Sequence, residues 1–183
     1  YAELILLNPR ADLVVDDGRR FLARTPQRFD VITLDPPPPV ETAGSSLLYA
    51  REFYALAKSK LAPGGIVHQW FPDGVNVEPA LRQAVLRSAV TAFPHVRIYQ
   101  SHHGFGLHIL LSMEPIEVPS PKEFIARLPA AARDDLMEWS PVCLNPERFI
   151  REQVLERERD LATLMGPRNG PFISDDRPFN EYF

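Results

Sequence analysis

The sequence predicts an α/β fold in which helices cover a mostly parallel sheet with an antiparallel edge strand. Short apolar and β-branched runs alternate with segments of helical periodicity as far as Ser112, the pattern of parallel strands joined by helices. The last two runs are joined by a short turn that ends at Gly106, which is typical of an antiparallel pair. Four prolines at 36–39 follow another run directly and end it, because proline cannot donate a ladder hydrogen bond.

Each element is recognised from a local signal. Apolar runs of a few residues indicate strands, whereas Leu81, Val85 and Ala89 recur at helical spacing. Asn8-Pro9 and Pro63-Gly64-Gly65 are helix stops. In chain order, the predicted elements are a helix end at 1–7, a strand at 13–15, a helix at 19–24, a strand at 29–34, a helix from Ser45 or Ser46 to about 61, a strand at 66–71, a helix from 78 onward, and strands at 96–99 and 107–112.

The character of the chain changes after Ser112. A proline-punctuated linker leads into short predicted helices at 121–128 and 130–139 and a longer, charge-rich one at 147–164. The tail from 169 has little periodicity. We therefore divide the chain into an α/β domain at 1–112 and a helical appendage with a tail at 113–183, which offers too little core to fold independently.

Composition excludes several classes of function. The formal net charge of −4 leaves no basic surface for nucleic acid. The single cysteine, Cys143, rules out an internal disulfide and a cysteine metal cluster, and His102, His103 and His108 lack ligand spacing, so no metal is predicted. There is no apolar run of about 18 residues and no signal peptide, so the sequence predicts a cytoplasmic domain.

Asp35 is the strongest candidate for a catalytic residue. It stands at the end of the apolar run 31–34, where the strand would deliver its carboxylate to the carboxyl edge of the sheet. Ligands of open α/β folds bind at that edge, and a carboxylate there is able to act as a general base. The alternative is that Asp35 only ends a strand at a turn, and strand position alone does not decide between the two.

A second acid follows the preceding predicted strand. Asp17 could accept a hydrogen bond from an adenine amino group, and Gly18 beside it would let a flat ring approach the backbone. The alternative for Asp16-Asp17 is a turn with a helix cap. Two other residues are predicted to line the substrate crevice: Tyr49, which is close to the proline loop, and Gln69, although strand alternation permits only one of His68 and Gln69 to face it.

These residues carry a resemblance to a known family. The segments VVDDGRRFL, FDVITLDPPPP and LLYAREFYALAKSKLAPGGI resemble the polyamine aminopropyltransferases, the spermidine and spermine synthases. The proline run and the ending SDDRPFNEYF are most similar to bacterial spermidine synthase-like proteins, many of which carry a membrane-embedded region upstream of this domain. The resemblance covers about residues 8–112 and implies a class I methyltransferase-like, Rossmann-like fold.

The resemblance implies a role for each candidate residue. Asp17 and Gly18, together with Pro36, would bind decarboxylated S-adenosylmethionine or its product methylthioadenosine. Asp35 would deprotonate a small-molecule amine, which then displaces methylthioadenosine by in-line substitution. Tyr49 and Gln69, chosen from their positions in the sequence, would contact that amine. A homodimer is also expected.

The sequence departs from the family at three places. Pro38 stands where the synthases have a second aspartate, and YQSHHGFG replaces a stretch that contains a substrate-contacting tyrosine. The glycine-rich loop and the ribose-binding acid expected upstream are absent, so we expect this chain alone not to enclose the cofactor. Two alternatives therefore stay open: an S-adenosylmethionine-dependent methyltransferase of the same fold, and a non-catalytic synthase-like module.

Overall fold

The computed structural model describes residues 7–36, 44–74, 77–101, 104–138 and 145–178. Within these ranges the chain forms a five-stranded sheet with helices on both faces. The elements are α1 (Gly18–Arg24), β1 (Phe29–Leu34), a 3-10 turn (Ser45–Leu48), α2 (Arg51–Ser59), β2 (Leu61–Phe71), α3 (Pro79–Val90), β3 (His95–Gln100), β4 (Leu107–Ser112), α4 (Pro121–Arg127), α5 (Ala130–Glu138), α6 (Pro146–Phe149), a π turn (Ile150–Val154), a 3-10 turn (Leu155–Arg157), β5 (Glu158–Arg159) and α7 (Leu161–Met165).

The strand order is β1-β2-β4-β3-β5. β1 and β2 are parallel, β4 is antiparallel to both β2 and β3, and β5 is antiparallel to β3. It follows that β1, β2 and β3 run in one direction, with β5 as an antiparallel strand at the edge. The predicted α/β class is confirmed, although the last strand of the predicted pair, β4, lies inside the sheet.

The main core lies between one face of the sheet and helices α2 and α3. Val67 on β2 and Ile109 on β4 point into it because alternate strand residues share a face. α3 begins at Pro79, whose fixed φ suits the first helical position, and it buries Leu81, Val85 and Ala89 as predicted from their spacing.

The opposite face of the sheet is partly covered by the segments that follow β4. Phe149 and Ile150 form a second, smaller cluster with side chains from α4, α5 and the turns that precede β5. Residues near the C-terminus instead join the main core, among them Leu164 and Ile173. The division of the chain at residue 112 stays a prediction.

Three predicted elements are wrong. Residues 13–15 are not a strand, and Leu13 and Val15 are exposed, because a strand needs a partner and the described residues provide none for this segment. The helix expected from Ser45 or Ser46 is a 3-10 turn followed by α2, which begins after Ala50.

The third wrong prediction is the long helix at 147–164. The chain is extended at Glu158–Arg159, which pairs with β3, and a new helix begins where the Asp160 side chain accepts a hydrogen bond from the Thr163 amide. Several predicted features lie outside the described residues: the helix end at 1–6, the rest of the proline run with Pro38, His102, His103, Trp139 and Cys143.

Candidate functional site

Asp35 follows β1 directly and its side chain is exposed. Strand alternation places Asp35 on the same face as Thr33, and Thr33 is in register with His68 on the parallel strand β2. A hydrogen bond of 2.8 Å joins Thr33 Oγ1 to His68 Nδ1, and another of 3.0 Å joins His68 Nε2 to His108 Nδ1. The carboxylate therefore shares its face of the sheet with a chain of three polar side chains.

Burial sets the charge of the two histidines. Both imidazoles are half-buried, and loss of hydration lowers the pKa of each below its usual range. The neighbouring imidazole lowers the pKa of His68 further, while the Asp35 carboxylate raises the pKa of both and offsets part of the effect. The pair is consequently neutral at neutral pH.

A cavity of about 400 Å³ lies over the histidine pair. Its wall is mainly apolar and combines the sheet with segments that follow β4, including Leu110, Phe124 and Leu155. Sequence analysis did not predict this pair, because His68 and His108 are brought together only by the antiparallel register of β2 and β4. The alternation of side chains within each strand can be predicted from the sequence, but the strand that pairs with it cannot.

The turn between β3 and β4 packs against Trp70, which stands on the same face of β2 as His68. Gly106 in this turn has a φ of +86°, and a Cβ there would lie 2.5 Å from Trp70 Nε1. Only glycine accommodates both this positive φ and so close an approach to the Trp70 ring. Phe105 is half-exposed with its ring centroid 5.7 Å from that of Trp70, so an aromatic pair borders this face.

Asp17 and Gly18 line a second cavity, of about 340 Å³, beside the open edge of β1. The cavity wall is otherwise mostly apolar and includes Phe21, Leu48 and Phe53. The Asp17 carboxylate also accepts a hydrogen bond of 2.7 Å from the Arg20 amide and so caps α1. The predicted helix cap is thus observed, and its geometry leaves Asp17 at the rim of a cavity whose apolar wall suits a flat ring.

Asp35 is not part of the wall of the cavity that Asp17 and Gly18 line. Thr33 and Leu34 belong to the wall of the Asp17–Gly18 cavity, and Asp35 is the next residue along the strand. Pro36 is buried beside it. The predicted sharing of a single cleft by Asp17 and Asp35 stays a prediction.

Tyr49 and Gln69 are both fully buried on the face of the sheet that α2 and α3 cover. The Gln69 side chain accepts a hydrogen bond of 2.5 Å from the Tyr54 hydroxyl and donates one of 3.3 Å to the Leu48 carbonyl. Burial, followed by the Asp35 charge, raises the pKa of Tyr49 well above its usual range. Neither residue lines the two cavities above. Their contact with substrate remains a prediction, and it requires a conformational change that exposes these two side chains.

Within the described ranges, no three histidine, cysteine or acidic side chains converge as metal ligands. In the same part of the chain, every helix is too short or too polar to cross a membrane.

This sheet, with an acid at the end of a strand in a parallel pair and helices on both faces, defines an α/β protein of the Rossmann-like, methyltransferase-type class. Residues 3–102 match the spermine/spermidine synthase domain. The chain belongs to the spermine/spermidine synthase family.

Curated relatives agree with this assignment. A polyamine aminopropyltransferase 2 of Hyperthermus butylicus is 30% identical over 166 residues, covering 84% of this chain and 53% of the relative. One of the same name from Pseudomonas aeruginosa is 31% identical over 94 residues (51% and 27%), and a thermospermine synthase of Arabidopsis thaliana is 31% identical over 97 residues (52% and 29%). The matched part spans between about a quarter and half of each relative, and the sources do not single out bacteria.

Proposed function

We propose that the protein transfers an aminopropyl group from decarboxylated S-adenosylmethionine to a small amine. The observation that carries the proposal is the exposed carboxylate of Asp35 at the end of β1, one residue beyond the wall of the cavity that Asp17 and Gly18 line. Membership of the family and the aminopropyltransferase names of its relatives support the same reaction. A carboxylate in this place suits an amine that arrives as a cation.

The proposed reaction is a single displacement. Asp35 accepts a proton from the attacking ammonium group, which frees the nitrogen lone pair. The nitrogen then forms a bond to the propyl carbon while the bond from that carbon to the sulfonium sulfur breaks, and the electron pair leaves with sulfur as methylthioadenosine.

The histidine pair contributes to the electrostatics of this proposal. A neutral imidazole does not repel a cationic amine, whereas a protonated one beside Asp35 would compete with it for the carboxylate. Burial keeps both His68 and His108 neutral at neutral pH. The face around Asp35 is therefore suited to a positively charged substrate.

Three further parts of the proposal are a homodimer, a cytoplasmic location, and attachment to a membrane-embedded region in the natural full-length protein. The cytoplasmic location is the expectation from the sequence. The membrane-embedded region is supported by the similarity of the proline run and the C-terminal ending to bacterial spermidine synthase-like proteins.

The test replaces Asp35 in the complete natural chain. We expect Asp35→Asn to lower kcat by about 100-fold or more, because a general base contributes at least that much. The dissociation constant of methylthioadenosine, measured by calorimetry, should change by less than about twofold because the amide keeps the size of the carboxylate. Asp30→Asn, which changes an exposed acid at the other end of β1, is the matched control.

The same calorimetry tests the ligand. Decarboxylated S-adenosylmethionine should bind and the intact form should bind more weakly. Normal turnover in Asp35→Asn, a preference for the intact form, or no binding of either form would each overturn the proposal. Asp17→Ala should weaken binding of methylthioadenosine, and Asp17→Ser, which keeps a helix cap, separates that effect from loss of α1.

A further inference from the structure

The C-terminal residues 165–177 run across the helical side of the main core, and we call them the C-terminal strap. Arg87 on α3 holds its first part: the guanidinium donates hydrogen bonds to the carbonyls of Met165 at 3.1 Å, Pro167 at 2.7 Å and Pro171 at 3.0 Å. Gly170 packs so close to Arg87 that a Cβ would lie 2.3 Å from Cζ. This part of the strap is therefore fixed by a buried cation.

The second part of the strap is anchored by Ile173. Its side chain is fully buried in the main core, its amide donates to Ser88 Oγ at 2.7 Å, and its carbonyl accepts from the Arg51 amide at 3.0 Å. Reciprocal hydrogen bonds between the main chains of Ser174 and Arg177 then close a tight turn. Asp175 stands in that turn, two residues beyond a buried anchor.

Asp175 contacts two separate segments of the α/β core. Its carboxylate accepts a forked pair of hydrogen bonds from Arg19, at 2.8 and 2.6 Å, and its amide donates to Glu52 Oε2 at 3.1 Å. Arg19 also donates to the Leu47 carbonyl at 2.9 Å. The hydrogen bond that Arg19 donates to Asp175 is the largest cause that raises the pKa of Arg19. Forked Arg–carboxylate pairs fix orientation as well as distance.

These contacts lie next to the cavity of Asp17 and Gly18. Arg19 follows Gly18 in the first turn of α1, and Leu47 precedes Leu48, which is part of the cavity wall. Leu22 is the one buried residue of α1, so apolar burial holds this helix weakly. Arg19 therefore joins the start of α1 to the 3-10 turn through the Leu47 carbonyl, and Asp175 holds the Arg19 guanidinium from the strap.

We propose that Asp175 is a positioning residue for nucleoside binding, acting through Arg19 on the Asp17–Gly18 rim of the cavity. The inference rests on the proposed function for the identity of the ligand, and on the geometry above for the positioning. Asp175 need not touch the ligand. Removing its charge should loosen the rim while the strap stays attached through Arg87 and Ile173.

The binding test compares two neighbouring aspartates in the complete natural chain. Asp175→Asn should weaken methylthioadenosine binding about five- to tenfold, which corresponds to loss of a partly exposed but well-formed ion pair. The KM for the nucleoside substrate should rise by a similar factor with little change in kcat. Asp176→Asn, at an exposed position of the same turn, should bind like the wild type. Equal affinity of Asp175→Asn and the wild type would overturn the proposal.

A second variant and a second measurement keep the inference separate from the proposed function. Arg19→Gln should weaken binding to the same extent, and the double variant should add little, because both changes remove one interaction. Hydrogen exchange of the ligand-free protein should show faster exchange at α1 amides in Asp175→Asn, with α3 unchanged. If the wild type fails to bind methylthioadenosine, the proposed function is wrong, and the exchange result alone then supports or overturns the positioning role.

Discussion

Tyr54 and Gln69 form a buried hydrogen bond between α2 and β2, and it gives Gln69 a structural role. The sequence showed that His68 and Gln69 face opposite sides of the sheet, but the side that α2 covers was not readable from it. The structure places Gln69 under the helix and His68 on the face of Asp35. Gln69 thus has a structural role, whereas its neighbour His68 lies near the proposed site.

We expect Tyr54→Phe to lower the free energy of unfolding by about 1–3 kcal/mol, because it leaves the buried Gln69 oxygen without its donor. Replacing both partners, in Tyr54→Phe with Gln69→Leu, should be less costly than the sum of the single changes. Urea unfolding monitored by circular dichroism measures all four proteins. Additive effects would show that the hydrogen bond has no coupling energy.

At the scale of elements, the sequence predicted β1, β3 and β4 well because each combines an apolar run with a clear turn. The predicted start of β2 at residue 66 was too late, because the strand begins at Leu61 and includes Pro63-Gly64-Gly65, which was read as a helix stop. The sequence-based prediction failed at residues 13–15, where the β-branched run is typical of a strand but strand formation also requires a partner. It also failed near Glu158, since charge-rich helical spacing did not reveal that Arg159 would pair with β3. Pairing between distant segments is the information that local patterns lack.

The histidine pair joins β2 to β4 and gives the sheet a pH dependence. Burial lowers the folded-state pKa of His68 and His108, so below the ordinary histidine value near 6.5 the unfolded chain binds more protons than the folded one. Stability should therefore be complete above that value and fall as the pH decreases through it towards the folded-state pKa values.

Urea unfolding between about pH 7.5 and about pH 5 measures this loss. The double variant His68→Gln with His108→Gln should lose less stability over the same range than the wild type. Asp176→Asn, a single change at an exposed turn, serves as a control for effects of low pH that do not involve the histidines. An identical slope in the wild type and the double histidine variant would contradict the prediction.

At the scale of the whole molecule, the described residues contain two apolar clusters of unequal size. The main core includes Phe53 and, from the far end of the chain, Ile173. The smaller cluster centres on Phe149 and Ile150. Composition predicted a dependent appendage after residue 112, but not the return of the C-terminal residues to the first core, because that segment shows little periodicity.

We expect Phe149→Ala to loosen α4, α5 and α6 while the sheet keeps its protection from hydrogen exchange. Phe53→Ala should instead lower global stability by about 3–5 kcal/mol and raise exchange throughout the sheet. Native-state hydrogen exchange on both variants distinguishes local from global opening. Equal loss of protection in the two clusters after Phe149→Ala would mean that they form one cooperative unit.

The central place of β4 has a consequence for the order in which a ribosome releases the chain. β4 is made after β1, β2 and β3, yet it lies between β2 and β3. A nascent polypeptide that has not yet extended past Leu107 leaves unpaired the edges of β2 and β3 that β4 later joins, and each is able to pair wrongly. The sheet is therefore completed only after β4 has been translated and has paired with β2 and β3.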